Sequence, residues 1–211
     1  MKKPEYSQIN EGAFDFLAER YGKKNSSNLN YKKFSRLIQD NFDNHSILEI
    51  GVGSGDAVKY FSGKKFKTTG IDISSKIIEV AREKSPNTQF IHSDFLKYNF
   101  DNQTFSGVFA NSVLQLFSRQ KIPEVFEKIY SILEKEEIFY LSIPLFEKSK
   151  EEIIQRGEKT NEILEFRVRY SKKEFNQIIF NSTFNLLEQS LTKFRDSQGN
   201  ILNRLNAFLV K

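Results

Sequence analysis

Between residues 47 and 143, five short apolar runs alternate with segments of helical periodicity, and this alternation constrains the fold more than any other feature. The runs are 47–50, 67–72, 89–94, 105–111 and 137–143, and the helix-like segments are 56–61, 74–84 and 122–133. Strands separated by helices of this length form βαβ units, which close only as a parallel sheet with right-handed crossovers. Ser74 and Ser75 offer an N-cap after the second run, and Pro123 stands where a first helical turn tolerates it.

The flanks differ. Residues 1–45 read as polar helices: Phe14, Leu17 and Tyr21 recur at helical spacing before Gly22, an expected C-cap, and Tyr31, Phe34, Leu37 and Ile38 form a second stripe. After Pro144, residues 145–170 read as a charged helix with a short extended piece. Residues 171–180 read as a helix with a capping box, Ser171 and Glu174. Two closing strands around 184–191 and 204–211 flank a turn-rich loop as a hairpin. The expectation is an α/β chain with seven strands, the first five alternating with helices and the last two antiparallel. Residues 1–45 would form an N-terminal helical cap, and 46–211 a single globular unit.

Composition removes several classes. No run of about 18 apolar residues occurs, so no membrane span is expected. The N-terminus lacks the apolar core of a signal peptide, which implies a cytoplasmic protein. With no cysteine, disulfides and cysteine chemistry are out. The net charge of +5 comes from scattered basic pairs, a poor match to a nucleic-acid surface.

Function concentrates in "SILEIGVGSGDAVKYF", where a strand carrying Glu49 releases the chain into Gly51, Gly53 and Gly55. A glycine turn between strand and helix brings backbone N–H groups close to a ligand. It is no phosphate loop, because Gly55 precedes Asp56-Ala57 rather than Lys-Ser/Thr. Asp56 also breaks the dinucleotide fingerprint, and a carboxylate at the positive end of a helix suits a cationic ligand better than a pyrophosphate. Asp72 ends the second strand 21 residues after Gly51, placed to accept hydrogen bonds from two ribose hydroxyls. Asp94 ends the third, with Phe95 beside it, where a carboxylate can take an exocyclic adenine amine and a ring can pack on the base. Together they describe an adenosine bearing positive charge.

In order and spacing, "ILEIGVGSGDAVKYF", "GIDIS", "HSDF" and "FSGVFANSVLQLF" resemble the cofactor motifs of class I S-adenosylmethionine-dependent methyltransferases. "FRVRYSKKEF" and the last 17 residues look similar to small bacterial members near the tellurite-resistance and ubiquinone-biosynthesis groups. The resemblance implies a Rossmann-like, doubly wound, mostly parallel seven-stranded sheet. It also implies S-adenosyl-L-methionine as cofactor, with S-adenosyl-L-homocysteine as product. By the same resemblance Glu49 faces the cofactor's amino end, and Gly51, Gly53 and Gly55 admit the methionine and adenosine parts. Asp72 takes the ribose, Ile73, Asp94 and Phe95 the adenine, and Asn111 the methionyl group through its backbone. The family's Pro-Gly-Gly turn before the fifth strand is absent from "LEKEEIFYLSIP".

Methyl transfer needs alignment more than acid–base chemistry. His45 and His92 read as structural, and Tyr6, Tyr21 and Tyr170 as candidates to line the transfer side. No Asn-Pro-Pro-Tyr motif follows the fourth strand, so a small-molecule acceptor is expected over a nucleobase. The alternatives are a silent cofactor-binding protein, or an RNA or protein methyltransferase. An aminopropyltransferase lacks its acidic motif here.

Overall fold

The computed structural model describes residues 5–23, 29–39, 45–156, 163–196 and 199–211. Two helices, α1 (Tyr6–Gly22) and α2 (Leu29–Gln39), precede the alternating region. That region runs β1 (Ser46–Ile50), α3 (Asp56–Gly63), β2 (Lys67–Asp72), α4 (Ser75–Lys84), β3 (Gln89–His92), β4 (Phe105–Asn111), α5 (Ile122–Ile132) and β5 (Leu133–Leu145). There follow β6 (Lys150–Arg156), β7 (Ile163–Arg169), α6 (Lys172–Phe180), β8 (Asn185–Arg195) and β9 (Ile201–Val210). The main sheet has seven strands in the order β3-β2-β1-β4-β5-β9-β8. Its first five strands are parallel, and β9 runs antiparallel to both neighbours.

Both sheet faces are covered, as expected of a parallel sheet. One face packs Leu48, Val108 and Phe139 with α5 residues such as Val125 and Ile129 and with Phe175 of α6. The other packs Ile47, Phe109, Tyr140 and Phe208 with Tyr31, Phe34 and Ile38 of α2 and Phe61 of α3. Phe109 and Tyr140 stack across adjacent strands at 4.4 Å. Among the described residues, no helix is long and apolar enough to cross a membrane.

The caps follow the side chains available. Ser74 Oγ accepts from the Ile77 N–H, and Ser171 Oγ from the Glu174 N–H. The Glu174 side chain does not complete the capping box, because it pairs with Arg119. Gly22 is the last helical residue of α1, and Lys23, in right-handed conformation, is its cap.

Two expectations change. The charged helix over 145–170 is a two-stranded antiparallel ribbon, β6 paired with β7 from Lys150↔Arg169 to Arg156↔Ile163. Its hydrophobics alternate, with Phe166 and Val168 buried while Glu151 is exposed, and a long-range packing face decides such a segment over local helical propensity. The second concerns the junction where the family's Pro-Gly-Gly turn is absent, which is closed without a separate loop. Chain enters β5 directly from α5, and Glu136 takes a positive φ of 64°. The resulting 13-residue strand pairs with both β4 and β9.

Candidate active site

All five parallel strands end at a cavity of about 470 Å³, whose remaining walls come from α1, the β6–β7 ribbon and the β8–β9 end of the sheet. The chain after β1 turns through Gly51, whose φ is +74°. A Cβ there would lie 2.6 Å from Val113 Cγ2, so the turn and the segment after β4 can approach only because residue 51 lacks a side chain.

Asp72 stands at the tip of β2 and holds this turn. Its Oδ2 accepts from the Val52 N–H at 2.9 Å, and its Oδ1 from the Ser74 N–H at 2.9 Å. Burial raises its carboxyl from 3.8 to about 6, against the lowering effect of donors from Ser74, Val52, Gly53 and Ile73. Glu49, inside β1, caps α3: its Oε2 accepts from the Val58 N–H at 3.1 Å, where Gly55 as N-cap has no side chain to offer. Burial holds the Glu49 carboxyl well above the usual carboxylate range, with Asp72 and Asp56 adding to the shift.

Glu49, Gly51, Gly53, Asp72, Ile73, Asp94, Phe95 and Asn111 all face the cavity. Asp94 Oδ1 accepts from the Leu96 N–H at 2.9 Å, and Phe95 is buried against Phe117 and Phe100. Asn111 is fixed by its side chain, its Oδ1 accepting from Ser142 Oγ at 2.6 Å. Gly55 is set apart. It does not line the cavity, and a Cβ on it would lie 2.9 Å from Ala81 Cα, so it serves the α3–α4 contact. Asp56 lines the cavity, but its charge is answered by Lys84 at 2.9 Å. The expectation that Asp56 meets a cationic ligand is therefore replaced by a structural ion pair.

The three tyrosines separate. Tyr6 and Tyr21 line the cavity, and Tyr21 reaches within 3.7 Å of where a Cβ on Gly53 would stand. Burial pushes both phenols up, so each stays a hydrogen-bond donor rather than a base. Tyr170 is wholly buried outside the cavity, packed on Phe175. Neither His45 nor His92 lines the cavity.

Sequence reasoning missed four contributors. Asn10 on α1 donates to the Leu116 carbonyl at 3.0 Å and accepts from the Phe166 N–H at 2.9 Å, strapping the helix to the sheet top and the ribbon. Glu165 on β7 is buried between Arg156 Nε at 2.7 Å and Arg167 Nη2 at 2.6 Å, all three facing the cavity. The alternation in "ILEFRVR" was the available signal for Glu165 and Arg167, obscured by the helical reading of that segment.

The comparisons with known proteins meet this geometry. Residues 47–136 match the family model described as a methyltransferase domain. The match covers 90 of the 211 residues and is a likeness of that stretch to the family. A provisionally named methyltransferase of Geobacillus sp. (strain WCH70) is 22% identical over 102 residues, which cover 46% of this chain and 41% of that one. The match thus spans less than half the length of that curated relative. Among solved structures, the 1,6-didemethyltoxoflavin-N1-methyltransferase of Burkholderia thailandensis, with bound 1,6-didemethyltoxoflavin and S-adenosylhomocysteine, superposes with a TM-score of 0.72 at 13% identity, covering 100% of this chain and 93% of that one. An S-adenosylmethionine-dependent methyltransferase of Methanosarcina mazei gives 0.70 at 14% identity, covering 89% and 99%. The fold is shared with these methyltransferase structures, and the matched residues 47–136 supply four of the five strand tips at the cavity.

Proposed function

We propose that this protein binds S-adenosylmethionine in the cavity above β1 to β4 and transfers its methyl group to a small-molecule acceptor by in-line displacement. The observation that carries the reading is Asp72: a carboxylate at the tip of β2, held by backbone donors on both oxygens yet facing the cavity. Each oxygen keeps lone pairs with which a pair of ribose hydroxyls can bond.

The remaining residues fit the cofactor. Asp94 has Oδ2 free of protein hydrogen bonds among the described residues, for an adenine amine, with the Phe95 ring beside it. Glu49, whose carboxyl burial pushes up, faces the cavity where a cationic amine would favour its charged form. Gln115 faces the cavity with a buried Oε1 that has no partner among the described residues, a second acceptor for such an amine. S-adenosylmethionine brings its own activated methyl group on a sulfonium. The protein then orients the acceptor and excludes water, an effect of about 7–11 kcal/mol at best. α1, pinned by Asn10, acts as the cap over the site.

No histidine or lysine is among the cavity's described lining residues, and the tyrosines are poor bases, which supports catalysis by positioning. The direct entry into β5 leaves that strand intact, which disfavours a silent protein. Incubation with S-adenosylmethionine and a panel of small acceptors, read as S-adenosylhomocysteine formed, tests the proposal. Turnover with a small acceptor is expected; turnover only with RNA or protein, or none with any acceptor, contradicts it.

A further inference from the structure

We propose that Arg204 anchors an anionic oxyacid group, a carboxylate or a phosphate, on the acceptor. The inference rests on the cofactor reading, which assigns the β2–β3 end of the cavity to adenosine and leaves the β5–β9 end for the acceptor.

The sheet order sets the distance. From Asp72 on β2 the sheet passes through β1, β4 and β5 before reaching β9, where Arg204 pairs in register with Pro144 at the end of β5. Four strand spacings of about 4.8 Å separate the two residues, roughly 19 Å. Both face the same cavity, at opposite ends. The β8–β9 end of the cavity also carries Tyr31, Pro144, Phe146 and Phe194, together with the charged Arg195 and Asp196.

Arg204 is a cation without a counter-ion. Its Nε is buried with no hydrogen-bond partner, and no carboxylate pairs with it among the described residues. The groups that act on its charge are the phenols of Tyr140 and Tyr31, and burial pushes its guanidinium below the usual range. The contrast lies across the cavity, where Arg156 and Arg167 share the buried Glu165. A desolvated, unpaired charge is costly, and an apolar side chain of the same length would fill the space without that cost.

The geometry suits an oxyacid. The guanidinium carbon lies over the Phe194 ring, 4.3 Å from its centroid. In-plane N–H donors remain for a two-oxygen acceptor, the fork that matches carboxylate and phosphate. An acceptor with an apolar body and an acidic end would fill this half of the cavity.

The test is calorimetric titration of phenylacetate, phenyl phosphate and the neutral phenylacetamide, with and without saturating S-adenosylhomocysteine. At least one acid should bind the wild type, and the amide at least tenfold more weakly. Arg204→Met should weaken the acid by about 10- to 100-fold, and Arg204→Lys by less. Both variants should keep wild-type affinity for S-adenosylhomocysteine, which shows that they fold. Preference between the two acids identifies the oxyacid. The proposal is overturned if neither acid binds, if the amide binds as well, or if Arg204→Met keeps the acid affinity. Acid binding through Arg204 without any S-adenosylhomocysteine binding would instead remove the cofactor reading and leave the anion site standing.

Discussion

Asp72 Oδ2 and the Val52 amide are joined by a 2.9 Å hydrogen bond that ties the tip of β2 to the turn after β1. One carboxylate therefore both shapes the glycine turn and faces the cavity, and its ionisation governs the two together.

The first prediction concerns pH. Burial raises the Asp72 carboxyl to about 6, so the charged form, which under the proposed function accepts from ribose hydroxyls, predominates only above that pH. S-adenosylhomocysteine affinity should be flat from about pH 8 to 6.5 and fall by up to about tenfold per unit below 6. Asp72→Asn should bind weakly and show no titration in that window. Calorimetry across the pH series measures both.

Gly55→Ala should act on stability. Residue 55 has a φ of +75°, and a Cβ would press on the Ala81 backbone at 2.9 Å. The left-handed conformation and the overpacking together should cost about 2–4 kcal/mol in denaturant unfolding. A loss below 1 kcal/mol would show that the α3–α4 contact yields freely.

Glu165→Gln leaves Arg156 and Arg167 facing each other without their shared carboxylate. Both arginines are partly exposed, so the expected loss is about 1–3 kcal/mol rather than the full cost of a buried charge. Greater protease sensitivity of the ribbon, ahead of the main sheet, is the accompanying sign.

Glu137, at 8% exposure near Glu134, has a carboxyl raised by burial from 4.5 to about 7. A raised carboxyl favours folding below the unfolded value and withdraws that support as pH climbs from about 4.5 to 7. Glu137→Gln should match the wild type at pH 4 and exceed it at pH 8 by about 1–3 kcal/mol, read by denaturant unfolding.

What was legible in the chain was local. The five strands and the helices between them announce themselves by apolar runs and caps such as Ser74, because each element buries a face that its own residues define. Asp72 could be placed because its strand end is marked by its neighbours, whereas Asp94, expected to end the third strand, lies two residues beyond the end of β3. The ribbon could not, since Arg156, Glu165 and Arg167 gain their partners only when β6 and β7 fold over α1. Asp56 misled for the same reason: its cation, Lys84, comes from another helix 28 residues on. Arg204 was equally silent, as nothing in its flanking sequence tells that no counter-ion meets it.

The central claim is that this cavity seats S-adenosylmethionine by way of Asp72. Isothermal titration of the intact protein with S-adenosylhomocysteine at pH 7.5 tests it most directly. One site is predicted, with affinity reduced at least tenfold in Asp72→Ala; no heat of binding in the wild type, or equal affinity in the variant, would contradict it.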